Sequence, residues 1–301
     1  MNWQYFTWII LIIVCAFLIF FYWVAPSIRL MYDGDCLESF DNPLEVKKDM
    51  IDKDYARIYD KVFDEKEMYV VEAKSILDFM GEKRVKGVVL DVGTGTGKHY
   101  QHMSVGGNKV LGLERSGAMI DIFRMRNPLG KVIEGDMRNE GLFEAQKFGM
   151  IVCLKETLYH NKVKDWDSIL SNFYYWLKPN GYLVLHIFDR DKLDPAPRNM
   201  TFVRKDGEGR RHGITNFPNF THDGWWETKG KVVCQYNEII AVRDKKGNII
   251  RKKHYKHNLA IPEKEKIMEK VLGNYFKLMN VVKMEKIGIV DHELCFFKKI
   301  K

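Results

Sequence analysis

The run Val88-Val89-Leu90-Asp91-Val92-Gly93-Thr94-Gly95-Thr96-Gly97 limits what this chain can become more than any other stretch. An apolar segment ends in an acid and passes into three glycines spaced two apart. Bounded by turn residues, such a segment reads as a strand buried on both faces, as in a parallel sheet covered by helices. The glycines admit dihedrals closed to other residues and let main chain approach a ligand with no Cβ between. A helix beginning near Gly97 would turn its unpaired N–H groups toward whatever lies over the turn. The spacing sets aside two nucleotide-binding alternatives. A G-x-G-x-x-G fingerprint needs glycine where Lys98 stands, and a G-x-x-x-x-G-K-[ST] loop fails because Gly97 follows Gly93 too closely and His99 follows the lysine.

The surrounding pattern alternates strand and helix signals, the mark of a parallel sheet with crossovers. A helical pattern covers Ile51 to Met80. Strands are expected over Gly87–Val92, Lys109–Glu114, Lys131–Gly135, Met150–Leu154 and Tyr182–Phe188, with helices from about Gly117 and from about Val163 to Leu177. After Asp194-Pro195-Ala196-Pro197 the texture changes. Trp225–Ala241 and Asn248–Ile261 are β-rich, joined by the hairpin signal Asp244-Lys245-Lys246-Gly247. Pro262 opens a helix read as reaching about Met279, and Val281–Ile289 and Glu293–Ile300 read as the last two strands.

In an open α/β sheet the ligand lies beyond the carboxyl ends of the strands, near the reversal of strand order. The residues there are Asp91 to Gly97 after strand one, Glu114 at the end of strand two, Gly135-Asp136-Met137 after strand three, and Leu154 to His160 after strand four. An acid at the end of strand two can accept hydrogen bonds from both ribose hydroxyls. Asp136 can accept an adenine amine, and Met137 can pack on the ring. For a general base, His186 near the end of strand five stands first by position and His160 second. Glu156 is placed to neutralise a cationic substrate, and Trp226 to line the pocket from the β-rich segment. No cluster has metal-ligand spacing, and the five cysteines form no C-x-x-C pair.

Asp91/Gly93/Gly95/Gly97, Glu114, Gly135-Asp136-Met137-Arg138 and Leu177-Lys178-Pro179-Asn180-Gly181 resemble, in order and spacing, the motifs of class I S-adenosylmethionine-dependent methyltransferases. Asp54-Tyr55-Ala56-Arg57-Ile58-Tyr59-Asp60 and the stretch from Phe148 to Tyr159 narrow the likeness to small-molecule enzymes of the deoxyaminosugar N,N-dimethyltransferase type. The resemblance implies an α/β, Rossmann-like sheet of seven strands with the last one antiparallel, and an antiparallel β insertion after strand five (residues 200–261) that covers the site and often supports dimerisation. It implies S-adenosylmethionine as cofactor, held by Tyr59, Asp91, Gly93, Thr94, Gly95, Gly97, Glu114, Arg115, Asp136, Met137 and Leu154, with Tyr159 facing the substrate.

Residues 3–25 carry no charge and are almost wholly apolar, with Trp and Tyr near both ends, so they read as an uncleaved transmembrane helix. Residues 26–50 read as a juxtamembrane linker and 51–301 as the methyltransferase domain. Arg29, Lys47 and Lys48 follow the apolar run and no Lys or Arg precedes it, which places the domain in the cytosol as a single-pass membrane protein. An anchor widens the expected acceptors from small molecules to glycan precursors and lipid-associated substrates. The last third, Thr201–Lys301, holds 22 Lys+Arg against 12 Asp+Glu. Nucleic acid is nonetheless disfavoured: strand four ends in Leu154-Lys155-Glu156-Thr157, not in the N-P-P-Y type of base methylation, and no recognition module is visible, while a protein lysine or arginine stays open as the alternative acceptor. The Asp91, Glu114 and Asp136 set argues against a non-catalytic scaffold.

Overall fold

The computed structural model describes residues 45–48, 51–63, 66–188, 190, 202–205, 211–230, 232–273, 275–287 and 292–300. The expected anchor at 3–25 and most of the 26–50 linker lie outside them. Among the described residues no helix is long and apolar enough to cross a membrane.

Two sheets organise the part from Pro43 onward. The larger has seven strands: β2 (Val88–Val92), β3 (Val110–Glu114), β4 (Val132–Glu134), β5 (Phe148–Cys153), β6 (Leu177–Phe188), β12 (Phe276–Lys283) and β13 (His292–Lys299). Their order is β12-β13-β6-β5-β2-β3-β4. β2, β3, β4, β5 and β6 pair in parallel, while β13 runs antiparallel to both β6 and β12. Order reverses at β2, which lies between β3 and β5, and a crevice opens there at the carboxyl ends.

The central strands are buried on both faces, as their unbroken apolar runs require. On one face Leu90, Ile151 and Leu183 meet Trp166, Phe173 and Trp176 of α5 (Trp166–Trp176). On the other, Val89, Val152 and Val184 meet Met68, Ile76 and Phe79 of α2 (Lys66–Glu82). Each fully buried large apolar side chain contributes about 1.5–3 kcal/mol.

The second sheet has the order β1-β11-β10-β9-β8-β7. β7 (Phe202–Lys205), β8 (Arg211–Asn216), β9 (Phe220–Lys229), β10 (Val233–Arg243) and β11 (Ile249–Ala260) form an antiparallel meander, and β1 (Glu45–Lys48) adds in parallel to β11. Cys234, Tyr236, Glu238, Ile240 and Val242 are all buried on β10, the period of two expected of one inward face. Tyr236, Leu259 and Ile261 join the same apolar core as Leu158, Tyr159 and Phe188, so the insertion is continuous with the main domain.

Several boundaries differ from the sequence reading. Part of the expected linker is a strand, β1. The expected 51–80 helix is two, α1 (Lys53–Val62) and α2, with α1 capped by Asp52, whose carboxylate accepts from the Tyr55 amide at 2.9 Å. The stretch Trp225–Ala241 folds on itself as two strands around Gly230, whose φ is +78°. Helix α6 (Lys264–Leu272) stops at Gly273, so β12 begins at Phe276, earlier than expected.

Candidate active site

Beyond β2 the chain turns sharply. Gly93 has φ +67°, and a Cβ there would stand 2.2 Å from Thr157. Gly95 differs: a Cβ on it would meet only the Gly93 carbonyl oxygen, at 3.9 Å, so the space over the turn is a cradle that a side chain would fill. The turn is held from below. Thr94 Oγ1 donates to Asp91 Oδ2 at 2.6 Å, and the Gly95 amide donates to Glu114 Oε2 at 3.0 Å. Glu114 Oε1 also accepts from the Ser116 amide at 2.8 Å, at the N-cap of α4 (Gly117–Arg126).

Burial pushes both buried acids up. For Asp91 it outweighs His99 and the Thr94 hydroxyl; for Glu114 it outweighs the Ser116 and Gly95 amides and Arg115. Asp136 goes the other way: hydrogen bonds from Arg138 hold it below the usual carboxylate range, with both its oxygens engaged. Arg138 leaves it fewer lone pairs for an adenine amine than a free carboxylate would have. Met137 is fixed by Asn172, whose Nδ2 donates to the Met137 carbonyl at 2.9 Å.

One cavity gathers these groups. It is bordered by Asp91, Gly93, Thr94, Gly95, Glu114, Arg115, Asp136, Met137 and Leu154, and by Glu156 and His160 of the turn after β5. Helix α1 crosses it, presenting Tyr55, Tyr59, Val62 and Phe63 at helical spacing. The helix is tied at both ends. Asp52 and Asp54 pair with Lys253 of β11, while Asp60 accepts from Thr96 Oγ1 at 2.7 Å and pairs with Arg126 and Lys98. The far wall is the inserted sheet, with Trp226, Tyr236 and His257.

Three expected site residues are elsewhere. Gly97 does not border the cavity. A Cβ on it would stand 2.5 Å from Phe123 and Asn127, so its glycine serves close packing of α3 (Lys98–Met103) on α4, at φ +80°. His186 is wholly buried on the other side of β6: its Nδ1 accepts from the Lys155 amide at 3.0 Å and its Nε2 lies 3.3 Å from Glu72 Oε1. Glu72 also meets His99 Nε2 at 2.5 Å; burial alone would raise it, but His186, Lys155 and His99 hold it down at about 2. His186 is therefore part of a buried polar cluster with Glu72 and does not border the cavity. Tyr159 is buried too and does not border the cavity, its hydroxyl donating to the His186 carbonyl and accepting from the Phe188 amide, both at 3.1 Å, which braces the end of β6.

The sequence reading passed over Tyr55 as a site residue, along with His99, Glu238 and His257. A signal existed for Glu238: a carboxylate at an inward position of an otherwise apolar alternating strand.

The sheet order, the glycine turn at its reversal point and the acids at the ends of three successive strands make a Rossmann-like domain with a cavity at the carboxyl edge of its sheet. Residues 89–181 match the family described as a methyltransferase domain. The chain is 34% identical over 98 residues to a dTDP-3-amino-3,6-dideoxy-alpha-D-glucopyranose N,N-dimethyltransferase of Streptomyces fradiae, covering 32% of this chain and 38% of that protein. The alignment thus spans well under half of that relative. Among solved structures, an S-adenosylmethionine-dependent methyltransferase from Clostridium acetobutylicum superposes with TM-score 0.64 at 15% identity, covering 81% of this chain and 97% of that one. CalS10, an amino pentose methyltransferase from Micromonospora echinaspora solved with S-adenosylmethionine bound, gives 0.60 at 21% identity, over 77% and 92%. At such identities the structures speak for the fold.

Proposed function

We propose that this chain transfers the methyl group of S-adenosylmethionine to an amino nitrogen of a small polar acceptor, with amino sugars the first class to test. One observation carries the reading: a single cavity is bordered on one side by Asp91, Glu114 and Met137 and on the other by Tyr55, Trp226 and His257. The first set suits a nucleoside and the second a separate acceptor. When bound, the cofactor supplies an electrophilic methyl on a sulfonium. The chain's own residues hold and orient: the open turn at Gly95 admits close approach, Glu114 accepts from ribose hydroxyls, Met137 packs on the base, and α1 with the inserted sheet excludes water. An amine acceptor needs little beyond loss of its proton. The stretch shared with the Streptomyces fradiae enzyme supports the amino-sugar class.

The test is incubation of the full-length chain with S-adenosylmethionine and dTDP-3-amino-3,6-dideoxyglucose, read by mass spectrometry. Mono- or dimethylated product is expected. Methylation of hydroxyl or carboxyl acceptors alone would overturn the amine reading.

The apolar run at 3–25 supports a further reading, that the chain is a single-pass membrane protein with the domain of residues 51–301 in the cytosol. Glycosylation at Asn199 or Asn219 in a microsomal mapping experiment would refute that orientation.

A further inference from the structure

Glu238 is the least expected buried group in the molecule. It stands in the middle of β10, wholly inaccessible, two residues from Tyr236 and two from Ile240 on the same inward face. Sheet formation needs no carboxylate there, and burying one costs several kcal/mol unless it is fully paired. Three polar side chains from three elements meet it. Tyr55 Oη on α1 donates to Oε1 at 2.6 Å, His222 Nε2 on β9 lies 2.7 Å from Oε2, and His257 Nε2 on β11 lies 3.1 Å from Oε1. Burial alone would raise Glu238, yet His222 and His257 hold it down at about 2, so it is a carboxylate. Burial and the charge of Glu238 push the Tyr55 phenol far up, so Tyr55 stays a donor.

Two of the three, Tyr55 and His257, border the cavity, while Glu238 and His222 stand behind them. Glu238 can only accept, so it favours a proton on His257 Nε2, 3.1 Å from Oε1, and turns the ring's other nitrogen, Nδ1, to the role of acceptor. The His160 ring faces that of His257 edge-on at 6.2 Å, and the Tyr55 ring lies 5.2 Å away. The arrangement is a base held by a carboxylate, facing the space in which an acceptor would sit.

We propose, resting on the methyl-transfer reading above, that His257 takes the proton of the attacking amine and that Glu238, steadied by Tyr55 and His222, is the positioning residue that orients it. The bound ammonium first gives one proton to His257 Nδ1; the nitrogen lone pair so freed attacks the methyl carbon, and the carbon–sulfur bond pair stays on sulfur. The imidazolium so formed faces Glu238, which balances its charge, and it returns the proton to solvent as product leaves. The other titratable groups facing His257 are Tyr55 from α1, His160 from the turn after β5, Tyr236 from β10 and Tyr255 from β11.

The experiment compares the full-length chain with His257→Ala, His257→Gln and Glu238→Gln, using dTDP-3-amino-3,6-dideoxyglucose as acceptor and S-adenosylhomocysteine binding by calorimetry as control. Binding of S-adenosylhomocysteine is expected to hold within about threefold, while kcat falls roughly 10²-fold at neutral pH. The deficit should shrink by about tenfold per pH unit toward the amine's own pKa, because solvent then removes the proton first. Added imidazole should restore His257→Ala and leave Glu238→Gln unchanged. A deficit that is the same at every pH, or no deficit, overturns the proposal while methyl transfer by the unaltered chain stands. Loss of S-adenosylhomocysteine binding in both His257 variants also overturns it, since His257 would then be structural. An unaltered chain that neither binds S-adenosylhomocysteine nor methylates the amine refutes the underlying reading, and this proposal with it.

Discussion

Replacing Glu114 with glutamine changes one atom type at the point where the glycine turn and α4 converge and where the proposed function sets the cofactor ribose. The carboxylate now accepts from two backbone amides, Gly95 at 3.0 Å and Ser116 at 2.8 Å. Glutamine has a single acceptor oxygen, so its amide group must face one of those N–H donors. The loss is one charge-assisted hydrogen bond, about 1.5–3 kcal/mol. Removing a buried charge offsets part of this in the free protein, because burial already raises the Glu114 carboxyl. The melting temperature should therefore move little. Cofactor binding has no such offset: ribose hydroxyls lose an anionic acceptor, and a net loss of about 2 kcal/mol weakens affinity roughly 30-fold. The pH dependence has a definite sign. A carboxyl raised by folding favours the free fold when protonated, and that contribution is lost as pH rises through its raised value; binding, which uses the carboxylate, weakens as pH falls through the same range. Calorimetry with S-adenosylhomocysteine at neutral and mildly acid pH reads both effects. An affinity for Glu114→Gln within about twofold of the unaltered chain, or an unchanged pH dependence, would refute the assignment of Glu114 to the ribose.

Three further outcomes are expected. Gly93→Ala forces a Cβ onto Thr157 at a positive φ and should cost about 2–4 kcal/mol in urea unfolding; an unchanged midpoint would contradict the turn geometry. Asp60→Asn loosens the end of α1 from Arg126, Lys98 and Thr96, so amide exchange over 53–63 should quicken and KM for S-adenosylmethionine should rise several-fold; unaltered exchange would mean the helix is not held there. Glu72 and Glu238 are both depressed to about 2, a stabilising contribution present above the ordinary carboxylate range and lost as pH falls from about 4.5 toward 2. Stability of Glu72→Gln and Glu238→Gln should accordingly vary less with pH across that window, and equal slopes would show that the carboxylates are not held by their histidines.

The main sheet was legible because its signals are local: Val88–Leu90 and Met150–Cys153 are continuous apolar runs, and Asp91, Glu114 and Asp136 lie at or just after the ends of their strands. His186 misled because proximity to a strand end does not say which face a side chain takes. Leu185 and Ile187 share one apolar core, and the intervening His186 turns to the opposite side, where Glu72 of α2 receives it. Nothing in the sequence brings residues 72 and 186 together. Gly97 misled for a similar reason, since a glycine that meets a ligand and one that meets a helix read alike; Phe123 and Asn127 decide between them. The Glu238 cluster depends on register. Reading Trp225–Ala241 as one segment conceals the turn at Gly230, which sets Glu238 opposite Gly224 and Tyr236 opposite Trp226, while the turn at Asp244–Gly247 sets the same two residues opposite Tyr255 and His257.

The measurement that tests the central claim most directly is a crystal structure of the full-length chain with S-adenosylhomocysteine. The account predicts the nucleoside over the Gly93–Gly95 turn, with its ribose hydroxyls on Glu114, its base against Met137, and its sulfur facing the wall formed by Tyr55 and His257. Density at another site, or a nucleoside lying over that turn without contact to Glu114, would contradict it.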